Sequence, residues 1–369
     1  MHLRMPAAHR LALLTCLALC LVACQGSSDS AQKQSAAPLV ADTRGAQLYR
    51  NICAVCHGQK GEGYKADEAP ALAQRDFLAS VTDDFLRTAI RDGRTGSTMS
   101  AWALQHGGPL SPADVEELIH FIRTWDKGPK AKLDERPLSG DAGRGAAIFL
   151  RECSRCHGLH GIEGPNIRLG NRDLLATATN GYLRYAVRNG RPGTKMQRFD
   201  ALLGDQGIED VVAALRAYQT GTPNPAQAAT PPAAVVPPPL PLGPVPLNPG
   251  GPEPEGFHKF PPGTTPVDIV HAQLARGARM ALLDARAPSD YANQHIAGAV
   301  SVPYYDPSPY LQKLPKNAWL VCYCACPHAE SGELAGKLVA AGFSKVTVLD
   351  EGLGVWNGKG YPVHTGTKP

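Results

Sequence analysis

The chain has 369 residues, enough for two or three domains. Its 37 basic and 33 acidic residues leave a formal charge of only +4, which gives no reason to expect a nucleic-acid partner. Apolar content is ordinary for a soluble protein, but 33 prolines, many in one segment, and ten clustered cysteines depart from the average. Cysteines at 16, 20, 24, 53, 56, 153, 156, 322, 324 and 326 read as cofactor and reaction chemistry, not as a disulfide framework.

Residues 1–23 read as an export signal. Arg4, His9 and Arg10 form a basic start, and Leu11 to Val22 is an apolar run too short for a good membrane span. The run ends in Leu21-Val22-Ala23-Cys24, which resembles the bacterial lipoprotein processing box. That resemblance implies that Cys24 is lipidated and becomes the first residue, with 24–40 as a flexible tether. A plain signal peptide with a chance cysteine is the competing reading. Cys16 and Cys20 leave with the signal in either case.

A repeat follows. Gly45, Tyr49, Cys53, Cys56, His57 and Gly58 recur as Gly145, Phe149, Cys153, Cys156, His157 and Gly158, each 100 residues later. Phe85-Leu86-Arg87, Arg91-Asp92-Gly93-Arg94 and Met99 recur 97 residues later as Tyr182-Leu183-Arg184, Arg188-Asn189-Gly190-Arg191 and Met196. Two homologous units, 41–128 and 138–221, account for this. Both read as helical. A first helix over 42–52 delivers the cysteines. A second over 82–91 opens on the cap-like Thr82 with Asp83 and Asp84 behind it. A third opens at Ser111-Pro112 and carries Leu118, Phe121, Ile122 and Trp125 at helical spacing.

C-x-x-C-H is an attachment signature for haem c. Two thiols one helical turn apart can add to the two vinyl groups of one porphyrin edge, and the adjacent histidine then meets the iron. A zinc or redox dithiol pair is the bland alternative for each C-x-x-C; duplication with the same flanking residues argues against it. Only Met99 and Met196 of the five methionines fall inside the repeats, at equivalent positions, and that repetition favours ligand over core. His106 lacks a counterpart and reads as a surface histidine. Both units resemble the class I cytochrome c family over nearly their whole length. The resemblance implies two haem c groups, with Cys53, Cys56, Cys153 and Cys156 as thioether links. It implies His57 and His157 as proximal ligands and Met99 and Met196 as distal ones. Such ligation fills both axial positions and makes electron transfer the default task.

Residues 222–256 are dominated by Pro, Ala, Val, Leu and Gly and read as an extended spacer. Beyond it, apolar runs over 281–284, 319–323 and 346–349, with a helical pattern over 332–341, predict a small α/β domain at 257–369. Asp284-Ala285-Arg286, Tyr291 and His295-Ile296-Ala297-Gly298-Ala299 resemble the first half of a rhodanese-like domain. Val321-Cys322-Tyr323-Cys324, Val348-Leu349-Asp350-Glu351-Gly352, Trp356 and Pro362 resemble the second half. The resemblance implies Cys324 as a persulfide-forming nucleophile at the end of a strand. The chain departs from the family in a loop one residue longer than usual and in Glu330, where many relatives carry Arg; an anionic carboxylate there disfavours thiosulfate. Cys326 is a possible resolving thiol, and Cys322 reads as core. A persulfide at Cys324, a Cys324/Cys326 couple, a catalytically dead binding module and a metal site of the three cysteines with His328 compete.

The expectation is a multidomain protein: two all-α cytochrome domains, a Pro-rich linker and a small α/β domain. Its expected setting is the bacterial periplasm, on a membrane through a lipid anchor. Its expected partners are redox proteins of the envelope and a small sulfur compound. The expected function is electron transfer by two haems coupled to a domain that handles sulfane sulfur as a persulfide on Cys324, with a pure diheme carrier whose C-terminal domain only docks as the rival; sulfurtransferase or sulfur-compound oxidoreductase activity stays open.

Overall fold

The computed structural model describes residues 42–64, 66, 69–162, 164–221, 245, 247–325 and 328–369. The expected signal and tether with Cys24, most of the Pro-rich segment, and Cys326 lie outside the described residues. Among the described residues, no helix is long and apolar enough to cross a membrane.

The first unit is built from α1 (Arg44–Leu48), a π-helical turn (Tyr49–Cys53), α2 (Ala54–His57), α3 (Arg75–Ser80), α4 (Asp83–Asp92) and α5 (Pro112–Arg123). The starts follow from local chemistry. Thr82 accepts the Phe85 amide at 3.0 Å and caps α4, and Ser111 with Asp114 forms a reciprocal capping box behind Pro112. Helix α1 crosses α5 at Gly45, where a Cβ would lie 2.1 Å from the Glu117 carbonyl oxygen. The repeated glycine is therefore a crossing point, and Tyr49 seals it by packing on Phe121 and Trp125.

The second unit repeats the plan with α6 (Ala142–Glu152), α7 (Ser154–His157), α8 (Arg172–Thr177), α9 (Asn180–Asn189) and α10 (Asp200–Gly221). Thr179 caps α9 as Thr82 caps α4. Gly145 sits where a Cβ would come within 1.7 Å of the Asp210 carbonyl oxygen, so α6 and α10 repeat the crossing. Arg184 and Glu209 form a buried ion pair, with Nε–Oε1 2.6 Å and Nη2–Oε2 2.9 Å. The same guanidinium donates to the carbonyls of Asp134, Arg136 and Pro137, which ties the segment between the units to the second of them.

The C-terminal domain holds β1 (Thr264–Thr265), α11 (Val267–Ala275), β2 (Met280–Asp284), α12 (Pro288–Asn293), β3 (His295–Ile296), β4 (Val300–Ser301), β5 (Trp319–Tyr323), α13 (Ala329–Ala340), β6 (Val346–Leu349), α14 (Gly352–Gly358) and β7 (Val363–His364). Strands β1-β6-β5-β2-β4 form one parallel sheet in that order, with Leu283 and Val348 flanking Cys322 in register. Strands β3 and β7 pair antiparallel. Central strands β2 and β5 are buried at every position, as expected of a sheet covered on both faces. Part of the expected linker is ordered against this domain: the Glu253 carboxylate accepts from Lys345, Arg279 and the Trp319 indole.

The three parts touch. The Asn171 amide donates to the Thr95 carbonyl at 2.9 Å, and Asp173 accepts the Thr95 amide at 2.7 Å. The Phe85 and Tyr182 rings meet with centroids 5.4 Å apart. From the sheet domain, the Tyr304 hydroxyl donates to the Ile52 carbonyl, Ser100 bonds Asp290, and Tyr305 packs edge-on against Trp102.

Candidate functional site

In the first unit, Cys53, Cys56, His57 and Met99 line one largely apolar cavity together with residues such as Phe77, Leu86 and Ile90. The histidine is oriented from behind: His57 Nδ1 lies 2.9 Å from the Pro70 carbonyl oxygen. A carbonyl can only accept, so Nδ1 carries the proton and Nε2 is the nitrogen with a lone pair. Burial pushes the His57 pKa down, which keeps the imidazole neutral, the form that ligates metal. Met99 is held by a tight loop: the Arg94 amide donates to the Met99 carbonyl (2.9 Å), and the Ser97 hydroxyl accepts the Met99 amide (3.2 Å). Gly93 opens that loop at φ 68°, a left-handed value that favours glycine.

The second unit reproduces the histidine fixation and the methionine loop. His157 Nδ1 lies 2.9 Å from the Ile167 carbonyl oxygen, and burial again lowers the histidine pKa. The Arg191 amide donates to Met196 at 2.8 Å, Thr194 accepts the Met196 amide at 3.1 Å, and Gly190 has φ 63°. Cys153 is half-buried and Cys156 exposed. His106 binds Asp92 at 3.0 Å instead of joining the cavity.

In the sheet domain Cys324 directly follows β5, is fully buried, and has its Sγ 3.3 Å from the Ser331 hydroxyl on α13. Cys322 is buried within β5, and burial raises its thiol pKa. Asp284, the last residue of β2, and Arg286 form a two-bond buried pair at 2.9 and 2.6 Å. Among the described residues, no cluster of three His, Cys, Asp or Glu side chains is placed to hold a metal ion.

Comparison with known proteins separates the parts. Residues 267–359 match the rhodanese-like domain family. The chain is 32% identical over 110 residues to the thiosulfate sulfurtransferase GlpE of Pseudomonas fluorescens, covering 92% of that protein and 30% of this chain. The C-terminal domain belongs to the rhodanese-like family. A solved rhodanese-like domain from Anabaena sp. is 28% identical, with a TM-score of 0.26, over 28% of this chain and 78% of that one. Residues 40–122 and 140–213 match the family described as cytochrome c oxidase, cbb3-type, subunit III, so both helical units are cytochrome c domains. The cbb3-type cytochrome c oxidase subunit FixP of Azorhizobium caulinodans is 30% identical over 162 residues, 42% of this chain and 52% of that protein. The chain thus spans about half the length of such relatives.

Two residues of the rhodanese-like domain reach a place the sequence did not announce. Tyr304 and Glu330 line the cavity of the first cytochrome domain. Glu330 is only 7% exposed, and burial, reinforced by the nearby Cys324 sulfur, raises its carboxyl pKa well above the ordinary value. Burial thus opposes ionisation of the carboxyl that the sequence places near Cys324. His328 faces Asp350, at 2.8 Å. From the second cytochrome domain, Ile167 also lines the first cavity, while its carbonyl orients His157. No local motif marks Tyr304 or Ile167, and the Cys324 loop that singles out Glu330 does not announce its place in this cavity; the placement comes from contacts between segments far apart in the chain.

Proposed function

We propose that the chain is a periplasmic electron carrier with two haem c groups, fused to a domain that handles sulfane sulfur as a persulfide on Cys324. Cys53 with Cys56, and Cys153 with Cys156, hold the porphyrins by thioether bonds; His57 with Met99, and His157 with Met196, are the axial pairs. The matched fixation of His57 and His157 through Nδ1 carries this reading, because it presents the ligating nitrogen of each histidine in one orientation. When bound, the haems supply one-electron chemistry at two saturated irons. The chain's own contribution is to orient the ligands, exclude water and hold the two sites against one another through Ile167. Partners are envelope redox proteins and a small sulfur compound, and Cys24 is the lipid anchor. Cys326 resolves an oxidised Cys324 if the pair works as a dithiol.

The complete burial of Cys324 favours a second reading, in which the rhodanese-like domain only docks. Pyridine haemochrome and mass spectrometry separate the possibilities. Two haems per chain and a polysulfide-derived sulfur on the Cys324 peptide, lost in Cys324→Ser but kept in Cys322→Ser, are expected. One haem per chain overturns the two-haem reading; no sulfur uptake leaves the docking reading. Cys24→Ala moves the protein out of the membrane fraction if the anchor is real.

A further inference from the structure

In the parallel sheet, the segments that follow the carboxyl ends of the strands form the ligand-facing side. Here that side faces the first cytochrome domain. Ser289 and Asp290, after β2, contact Ala101 and Ser100; Tyr304 and Tyr305, after β4, contact Ile52 and Trp102. Glu330, after β5 and six residues beyond Cys324, lines the cavity that holds Cys53, Cys56, His57 and Met99. Tyr304 bonds the carbonyl of the residue preceding Cys53. Among the described residues Cys324 is fully buried, a setting that suits a small anion better than a bulky persulfide-bearing protein. A thiosulfate donor would leave the adjacent redox site without a task, since that transfer releases no electrons.

Resting on the persulfide reading above, we infer that Cys324 acquires its sulfur oxidatively from sulfide, HS⁻, and that the electrons cross the wall shared with the first haem site. In this step the Cys324 thiol and HS⁻ each lose a proton to water and together lose two electrons. Two S–H bonds break, one S–S bond forms, and a persulfide anion remains on Cys324. The oxidant is the pair of ferric haems c, each taking one electron, the second reached through Ile167 and His157. The number of haems in one chain thereby matches the electrons released per sulfur.

The test uses the full-length ferric holoprotein without oxygen, titrated with sodium sulfide. Visible spectra count ferrous haem, and peptide mass spectrometry counts sulfur on the Cys324 peptide. The expected result is two haems reduced for each sulfur gained, with both signals lost in Cys324→Ser and with thiosulfate leaving the haems ferric. Sulfur gained from sulfide without haem reduction overturns the inference and leaves the persulfide reading standing. Haem reduction of equal rate in Cys324→Ser also overturns it, because the electrons then bypass the thiol. Absence of sulfur on Cys324 from sulfide, polysulfide and thiosulfate alike removes the persulfide reading itself. Should Cys324→Ser fail to fold, the ratio measured on the wild-type protein still decides.

Discussion

In the first cytochrome domain the helix ahead of the cysteines opens into a π turn over Tyr49–Cys53, and the Tyr49 hydroxyl donates to the Gly58 carbonyl at 2.8 Å. In the second, α6 runs regularly to Glu152, and Phe149, with no hydroxyl, packs on Tyr218. The same number of residues separates the crossing glycine from the first cysteine in both. The winding therefore differs without an insertion, and π turns of this kind often sit at functional sites. The surroundings differ as well. The first cavity is lined by residues of both other domains, whereas the second motif leaves Cys156, Leu150 and Leu159 exposed. The repeated motif is thus set once against both other domains and once near the surface.

The largest expected effect comes from removing either haem site. Cys53→Ser with Cys56→Ser should drop haem content from two to one and also destabilise the whole assembly, because an empty cavity at a three-domain junction loses packing on all sides. The matching pair, Cys153→Ser with Cys156→Ser, should cost the same single haem but less melting temperature. Equal losses of melting temperature would erase the distinction between interior and surface sites.

Next comes the ion pair that only the second domain buries. Arg184→Met leaves the Glu209 carboxylate without its main partner and should cost about 3–5 kcal/mol in denaturant unfolding. The equivalent Arg87, on exposed Asp84 and Glu116, should cost about 0–1 kcal/mol when changed to alanine. The Arg184 guanidinium holds Glu209 down at about 2, below its ordinary 4.5. A carboxylate lowered in the folded state stabilises fully above its unfolded value, so the contribution should fade as pH drops from about 4.5 towards 2. In Arg184→Met that acid-dependent slope should flatten.

Smaller effects distinguish the methionines. Met99→Ala and Met196→Ala should each remove half of the weak near-infrared band of sulfur-ligated ferric haem. Cyanide should then bind the Met196→Ala protein faster, since that site has less protein over it. Equal rates would mean that the sheet domain does not shield the first iron.

The duplicated cysteines, histidines and methionines were readable because the repeat printed the pattern twice; the covalent attachment and axial ligation proposed for them would demand fixed residue types. Helix starts were readable for a local reason: Thr82 and Ser111 act on amides three residues away. Strands β2, β5 and β6 stood out as short apolar runs. What stayed hidden depends on surfaces meeting at long range. Tyr304 and Ile52 are separated by most of the chain, and neither carries a motif. Glu330 was legible as an acid near Cys324, but its burial in the wall of the first cavity is not encoded by the local sequence. The role of Asp134, Arg136 and Pro137 as acceptors for Arg184 was hidden for the same reason.

The smallest expected effect tests the contact on which the enclosed setting of the first site depends. Tyr304→Phe keeps the ring and removes only the hydroxyl that donates to the Ile52 carbonyl. The carbonyl is left buried without that donor, so the expected loss is about 1 kcal/mol, in the range of one neutral hydrogen bond. Haem content should stay at two, because neither cysteine nor ligand has changed. The loss should vanish when the variant is made in a protein already lacking the first haem motif, where nothing would fill the cavity that Ile52 and Tyr304 line. A double-mutant cycle on unfolding free energy measures that coupling. Strict additivity would show that Tyr304 supports the sheet domain alone and that the two sites meet without depending on one another.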